Sequence, residues 1–170
     1  MQVDEAIRSR RTIKAYEPAP IGRAVLEELF ELARWAPNHH VTEPWRFRVL
    51  GPGALERLKR AAGPESAAKL DRAPTLVASS AVLGGDPVTD EEDLHAVACA
   101  TYIVLLGAHA RGLAAYWRTP EVLRSREGCE TVGIGAGERF VALIHLGEGK
   151  DAGKEAPARS PASKFVEYLD

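Results

Sequence analysis

Apolar residues recur at helical spacing twice in the N-terminal quarter of the chain. The stretch from Val3 to Arg11 predicts a short first helix. In "GRAVLEELFELARWA", an apolar stripe of Leu26, Leu29, Phe30 and Ala33 predicts a second, amphipathic helix. The proline of the following Ala-Pro pair stops that helix.

The longest helical pattern lies in the middle of the chain. The segment "DLHAVACATYIVLLGAHAR" predicts a helix from Asp90 to Arg111, with Thr89 and Glu92 as its capping box. Gly112 can end it in a left-handed conformation. The helix is apolar around most of its middle circumference, so it must be covered on several sides, either within its own domain or by another subunit.

Strand patterns alternate with the helices. "WRFRVL", "APTLVASSAVL", "LAAYW" and "RFVALIHLG" are rich in β-branched, aromatic and alternating apolar residues and predict four strands. "GPG" turns the chain into a short charged helix, "ALERLKRAA". The tail from Gly149 onward has no hydrophobic period, and no internal repeat is visible. The 170 residues therefore predict a single domain, 1–170.

Charge and composition narrow the class of protein. The formal net charge is −2, from 22 basic and 24 acidic residues that are well mixed, so nothing draws the chain to nucleic acid or to an anionic membrane. The N-terminus "MQVDEAIRSRR" lacks the apolar core of a signal peptide. No apolar run approaches the roughly 20 residues that span a bilayer. We expect a cytoplasmic protein with no nucleic-acid or membrane partner.

Several familiar kinds of site are excluded. The glycines of "GIGAGERF" precede a strand and lack dinucleotide-loop spacing. His39 and His40 are neighbours without a nearby cysteine or carboxylate set, so we expect no metal site. The serines lack a nucleophile-elbow motif, and Cys99 and Cys129 form no C-x-x-C pair. We therefore predict no catalytic side chain, and any chemistry would come from a cofactor.

Two stretches stand out because they combine unusual groups. "RSRRTIK" ends the first predicted helix with four cations and two hydroxyls, which suits a phosphate monoester, although solvated charges at a helix end give the same pattern. "RWAPNHHVTEPWRF" joins a helix to a strand through histidines, prolines and tryptophans. Such a loop suits a flat ligand or an ion. Trp45 and Phe47 fit the core, and Arg34 fits a solvated position.

Four segments, in order, resemble the nitroreductase family of FMN enzymes. The family has a helix ending in Arg-Arg-Ser and a Glu-Pro turn, and here "RRTIKAYEPAP" has Thr12 in place of the serine. An Ala-Pro segment leading to Gln-Pro-Trp and a strand corresponds to "WAPNHHVTEPWRF". A Trp-Arg-Ser/Thr segment corresponds to "YWRTP", and a strand ending in Leu-Gly corresponds to "FVALIHLG". The chain most resembles the short NAD(P)H nitroreductase branch, over most of its length.

The resemblance implies an α+β fold in which helices flank a central, mostly antiparallel sheet. It also implies an interlocked homodimer with FMN in two sites at the subunit interface. The implied activity is hydride transfer from NAD(P)H through the flavin to a nitroaromatic, a quinone or a similar electron-poor acceptor, in a ping-pong order. The alternative is a non-catalytic flavin-binding or interaction protein that kept the fold.

The resemblance also carries over individual residues. The N-terminal group holds the FMN phosphate and ribityl chain, the loop group reaches the partner subunit's flavin, and the third group lies along the isoalloxazine edge. The N-terminal group consists of Arg10, Arg11, Thr12 and Lys14. The loop group consists of Trp35 and His39, and the third group consists of Trp117, Arg118 and Thr119.

Two residues depart from the family pattern. Glu43 stands where the family has glutamine, and Trp35 stands where the short branch has arginine. A carboxylate near flavin disfavours added negative charge, and tryptophan replaces a charge by a stacking surface. Both changes bear on the redox potential and on the choice of acceptor.

Overall fold

A four-stranded antiparallel sheet forms the centre of the protein. The computed structural model describes residues 1–150 and 157–169. The strands are β1 (Trp45–Val49), β2 (Thr75–Val82), β3 (Leu113–Arg118) and β4 (Glu138–Glu148). Their order in the sheet is β1-β2-β4-β3, so β1 and β3 lie at the edges. The four predicted strands and the α+β class are confirmed.

In the described residues, six α-helices surround the sheet. They are α1 (Val3–Ser9), α2 (Arg23–Ala33), α3 (Pro52–Ala62), α4 (Pro64–Leu70), α5 (Pro87–Ala110) and α6 (Arg126–Thr131). The sequence analysis did not predict α4 and α6, because helices of seven and six residues are too short to show a helical period. Helix α1 ends at Ser9, so the two arginines that follow lie outside it.

The start of α5 differs from the prediction. Asp86 is the N-cap, and its side chain accepts a hydrogen bond of 2.9 Å from the backbone N–H of Thr89. The predicted capping box was wrong because Thr89 already lies inside the first turn, which leaves the Glu92 side chain available for another contact. At the other end, Gly112 has a positive φ of 75° and terminates the helix as expected.

The sheet has an apolar layer on each face. On one face, α2 and α5 pack against β4 through residues such as Leu29, Val104 and Ile144. On the other, residues from α3, α4 and the 120–134 segment pack around Leu143. Because successive side chains of a strand point to opposite faces, His145 of β4 lies on the same face as Leu143.

Helix α5 is the longest apolar element. In the described part of the chain it alone is long and apolar enough to cross a membrane by length and composition, which corrects the expectation that no segment approaches that limit. Half of its apolar window is buried inside the protein, as in a core helix. The cytoplasmic location stays a prediction.

The C-terminal tail was predicted to lack a period, and residues 151–156 and 170 of it lie outside the described residues. Within 157–169 the only helical turn is a 3-10 turn at Ala162–Lys164, and all thirteen side chains are exposed.

A close contact of Gly128 provides a test of the packing around α6. A methyl group added at Gly128 would overlap the carbonyl oxygen of Val122, whereas one added at Gly135 meets nothing within 4 Å. We expect Gly128→Ala to lower the free energy of unfolding by about 3 kcal/mol, since overpacking forces backbone shifts. Gly135→Ala is the control and should change it by less than about 0.5 kcal/mol. Equal denaturation midpoints for the two variants would contradict this packing.

Candidate functional site

The segment that follows α1 runs along the outer edge of β3. Thr12 forms a parallel bridge with Ala115, and the Ile13 backbone N–H donates to the Ala115 carbonyl at 3.4 Å. Arg11 Nη1 donates to the Arg10 carbonyl at 2.7 Å. The edge strand therefore fixes the backbone of the predicted phosphate-binding residues beside the sheet.

A cationic group lies where this segment meets the C-terminal half of α5. The Arg10 guanidinium is 5.9 Å from the ring centre of Tyr102, and its Nε is buried with no hydrogen-bond partner among the described residues. Ser9 Oγ donates to the Glu5 carbonyl and lies 2.7 Å from His109 Nε2, so the serine oxygen accepts from the imidazole. Burial, followed by the charges of Arg10 and Arg11, lowers the pKa of His109.

A second cationic group surrounds a cavity of about 230 Å³ on the Leu143 face of the sheet. We call it the cationic cavity. Its lining residues come from the N-terminal segment, from α4 and the turn after it, and from β3 and β4: Lys14, Tyr16, Lys69, Arg72, Tyr116, Arg118 and His145. Four of them are cationic, and no aspartate or glutamate of the described residues lines the cavity.

The cavity contains buried polar atoms without partners. Arg118 Nη1 and His145 Nε2 are both inaccessible to solvent and have no hydrogen-bond partner in the described structure. Burial lowers the pKa of Arg118, and Arg72 lowers it further. Burial, then Arg118 and Arg72, lowers the pKa of His145 to about 4, so its imidazole is neutral at pH 7. Uncompensated cations favour an anionic or acceptor-rich ligand.

The loop between α2 and β1 carries the other predicted residues. Trp35 is 80% exposed, and the Arg34 guanidinium lies 5.8 Å from the centre of its ring. His39 is exposed, and its Nδ1 lies 2.8 Å from Glu92 Oε2 on α5. Neither Trp35 nor His39 lines the cationic cavity of its own chain.

The backbone of this loop is strained. His40, Val41 and Glu43 have positive φ angles of 52°, 54° and 45°. Each costs about 1–3 kcal/mol, and the branched Cβ of Val41 makes it the least expected of the three. The Glu43 backbone N–H donates to Asn38 Oδ1 at 3.0 Å, which closes the turn. Backbone strain of this kind is common at ligand-binding loops.

The predicted Trp-Arg-Thr segment divides between environments. Trp117 packs against the core on the α5 face, Arg118 enters the cationic cavity on the opposite face, and Thr119 is exposed. Thr119 lines a different, open cavity of about 610 Å³ beside α6. Of the predicted cofactor-binding residues, only Lys14 and Arg118 line the cationic cavity.

Sequence reasoning missed Lys69, Arg72 and His145. The first two follow no motif, since one lies in a short helix and the other in the turn after it. His145 had a visible signal, because an imidazole interrupts the apolar run "FVALIHLG" of a strand that is buried on both faces. Within residues 1–150 and 157–169, no group of three or more His, Cys, Asp or Glu side chains is arranged to hold a metal ion.

Known proteins resemble this chain in sequence. The model of the nitroreductase family matches residues 7–75. The chain is 27% identical to YfhC of Bacillus subtilis, named as an NAD(P)H nitroreductase, over 96% of this chain and 92% of YfhC. It is 29% identical to an NAD(P)H nitroreductase of Haemophilus influenzae over 92% of each chain.

Solved structures agree with these sequence matches. A nitroreductase-like family protein from Bacillus cereus superposes with a TM-score of 0.89 at 24% identity, covering 100% of this chain and 97% of the other. A nitroreductase from Desulfovibrio desulfuricans, solved in complex with FMN, gives a TM-score of 0.82 at 23% identity, covering 100% and 98%. The family model and the two full-length relatives support membership of the nitroreductase family.

The neutral state of His145 predicts a pH dependence of stability. The pKa of His145 in the folded state, about 4, lies below its ordinary value of 6.5. Between these two pH values, His145 is protonated in the unfolded chain but not in the folded chain, which favours unfolding. The stability that the neutral His145 contributes is fully present above pH 6.5. As the pH falls towards 4, the free energy of unfolding decreases by about 3 kcal/mol. His145→Phe and His145→Leu should flatten this slope in urea unfolding. The control His95→Ala, at an exposed position, should keep it. An unchanged slope in both His145 variants would contradict the prediction.

Proposed function

We propose that the chain is an NAD(P)H-dependent FMN oxidoreductase. The observation that carries this proposal is the cationic cavity, whose buried Arg118 Nη1 lacks a partner among the described residues. FMN offers carbonyl and ring-nitrogen acceptors at one end and a phosphate dianion at the other. The cations of the cavity and the Arg118 donor therefore fit FMN. The relative from Desulfovibrio desulfuricans was solved in complex with FMN, which supports the same cofactor.

The two cationic groups divide the cofactor between them. Arg10, Arg11 and Thr12 bind the phosphate and ribityl chain, since forked guanidinium groups and a hydroxyl suit phosphate oxygens. The carbonyl and ring-nitrogen acceptors of the isoalloxazine bind to the four cations of the cationic cavity: Lys14, Arg118, Lys69 and Arg72. His145 stays neutral and adds no charge.

The bound flavin supplies hydride transfer from NAD(P)H to a nitroaromatic, a quinone or a similar acceptor, in a ping-pong order. The cations of the cavity stabilise the negative charge that two-electron reduction adds to the ring system. No protein acid or nucleophile is required. The backbone beside Trp117 and Thr119 and the exposed ring of Trp35 complete the walls of the site.

We propose further that two chains share each site. Helix α5 contacts the loop group through Glu92, which lies beside His39, and the Arg10 segment through His109. Glu92 and His109 are 17 residues apart, so about 25 Å of helix separates them. One flavin within one chain is too short to meet both groups. Antiparallel packing of two α5 helices would bring the N-terminal end of one beside the C-terminal end of the other, and the half-exposed apolar face around Tyr102 supports such packing.

The cofactor proposal is tested by titrating flavin-free protein with FMN. Arg10→Ala and Arg118→Ala should each weaken binding about ten- to a hundredfold, because each removes a charged donor from an anionic or acceptor atom. Arg8→Ala is the matched control, an exposed arginine of α1, and should change affinity less than twofold. Equal losses at Arg8 and Arg10 would indicate a diffuse positive field instead of a phosphate site.

Turnover separates the enzyme from a non-catalytic flavin-binding or interaction protein. The FMN-loaded protein is mixed anaerobically with NADH or NADPH, and flavin absorbance is followed before and after adding a quinone or nitroaromatic. We expect bleaching by at least one nicotinamide and recovery with the acceptor. Flavin that binds tightly but is bleached by neither nicotinamide would support the non-catalytic alternative.

The shared-site proposal is tested with mixed dimers. His39→Ala and Arg10→Ala homodimers should each be impaired at both sites. A purified heterodimer with one variant per chain should recover one intact site and therefore about half of the wild-type FMN occupancy, by the symmetry of a two-fold interface. If both residues served a site within one chain, every site would keep one defect and no recovery would occur.

A further inference from the structure

We infer that Glu92 is a positioning residue that sets His39 as a hydrogen-bond acceptor towards the bound ligand. The inference rests on the proposed function for the identity of that ligand. It concerns a pair of side chains, one in the loop and one in α5, whose contact places the histidine ring at the surface.

The contact decides which ring nitrogen carries the hydrogen. His39 Nδ1 lies 2.8 Å from Glu92 Oε2. An ionised carboxylate has no hydrogen to donate, so the imidazole must donate from Nδ1. When the ring is neutral, its single hydrogen is therefore on Nδ1, and Nε2 carries a lone pair.

Other contacts fix the orientation of the ring. Thr42 Oγ1 donates to Asp93 Oδ1 at 2.6 Å, so consecutive residues of α5 hold both ends of the strained turn. The His40 ring stacks on the His39 ring with centres 4.0 Å apart and planes 16° apart. With Nδ1 bonded, Nε2 is the ring nitrogen of His39 that is left for a ligand.

An accepting Nε2 selects the ligand atom. Phosphate oxygens and flavin carbonyls are acceptors, and a lone pair on Nε2 repels them. The ribityl hydroxyls and the ring N–H of FMN are donors and can satisfy it. His39 and the Arg10 segment are therefore complementary, because the arginines bind the acceptor atoms of the cofactor and the histidine binds a donor.

A purely structural role fits Glu92 poorly. Both partners are about half exposed, with side-chain exposures of 55% and 43%, and exposed pairs of this kind add little stability. The N-cap of α5 is Asp86, so Glu92 does not cap the helix. Glu92→Ala should consequently fold normally. Its exposed neighbour Glu91, with no hydrogen bond or ion pair in the described structure, provides a matched control.

The first measurement needs no cofactor. Long-range ¹H–¹⁵N NMR of flavin-free protein at pH 8.5 reports which nitrogen of His39 is protonated. We expect Nδ1–H in the wild type and in Glu91→Ala. In Glu92→Ala we expect a shift towards Nε2–H, which a free imidazole prefers. A wild type that is already mainly Nε2–H, or a Glu92→Ala spectrum identical to it, would overturn the inference.

The second measurement is a double-mutant cycle on FMN affinity. Glu92→Ala should weaken binding about fivefold, on the scale of one hydrogen bond, and should have no further effect in a His39→Ala background. Glu92→Gln should restore part of the affinity, because its amide oxygen can still accept from Nδ1. A loss of the same size in both backgrounds would mean that Glu92 does not act through His39. If the wild type bound no FMN, the proposed function would fail, and the tautomer measurement would still decide the role of Glu92.

Discussion

Positive charge in a cavity that no aspartate or glutamate of the described residues lines is the constraint on which the proposed site depends. The pairing of β3 with β4 sets Tyr116 opposite His145 and Arg118 opposite Leu143, so a guanidinium enters a layer that is otherwise apolar. Lys14, Lys69 and Arg72 join it from three other parts of the chain. Arg48 is compensated within the chain, because it pairs with Glu138 across the sheet at 2.6 Å. In the cationic cavity, a ligand must provide that compensation.

The contrast between these two sites explains what each one does. Burial alone would raise the pKa of Glu138, but hydrogen bonds from Arg48 and Ser80 outweigh it and lower that pKa. The Arg48 site is therefore electrically complete and ties β1 to β4 across β2. The cationic cavity has the opposite balance, since its lining residues other than the cations and the neutral His145 are Tyr16 and Tyr116. Burial and then Tyr116 raise the pKa of Tyr16, which keeps that phenol protonated. The Tyr16 phenol therefore does not offset the charge of the cavity.

The sequence predicted the elements with strong local patterns and missed what depends on distant partners. The four strands and α5 have periods long enough to read, and Gly112 marked the end of α5 correctly. The start of α5 was misplaced because Asp86 competes with Thr89 as the cap, and only the backbone geometry distinguishes them. Lys14 and Arg118 were recognised through the family resemblance. Lys69 and Arg72 were not, because they come near β3 only across the cationic cavity, and no local spacing records that proximity.

The two departures from the family pattern lie in one half of the proposed site. Trp35 and Glu43 both belong to the exposed loop that carries His39, and neither lines the cationic cavity. Glu43 contributes its backbone N–H to the turn, and the residue is exposed and does not line the cationic cavity. Neither departure therefore alters the charge of the cationic cavity, which we propose holds the flavin. Substitutions at Trp35 and Glu43 therefore change the loop half of the proposed site and leave the residues that line the cationic cavity unchanged.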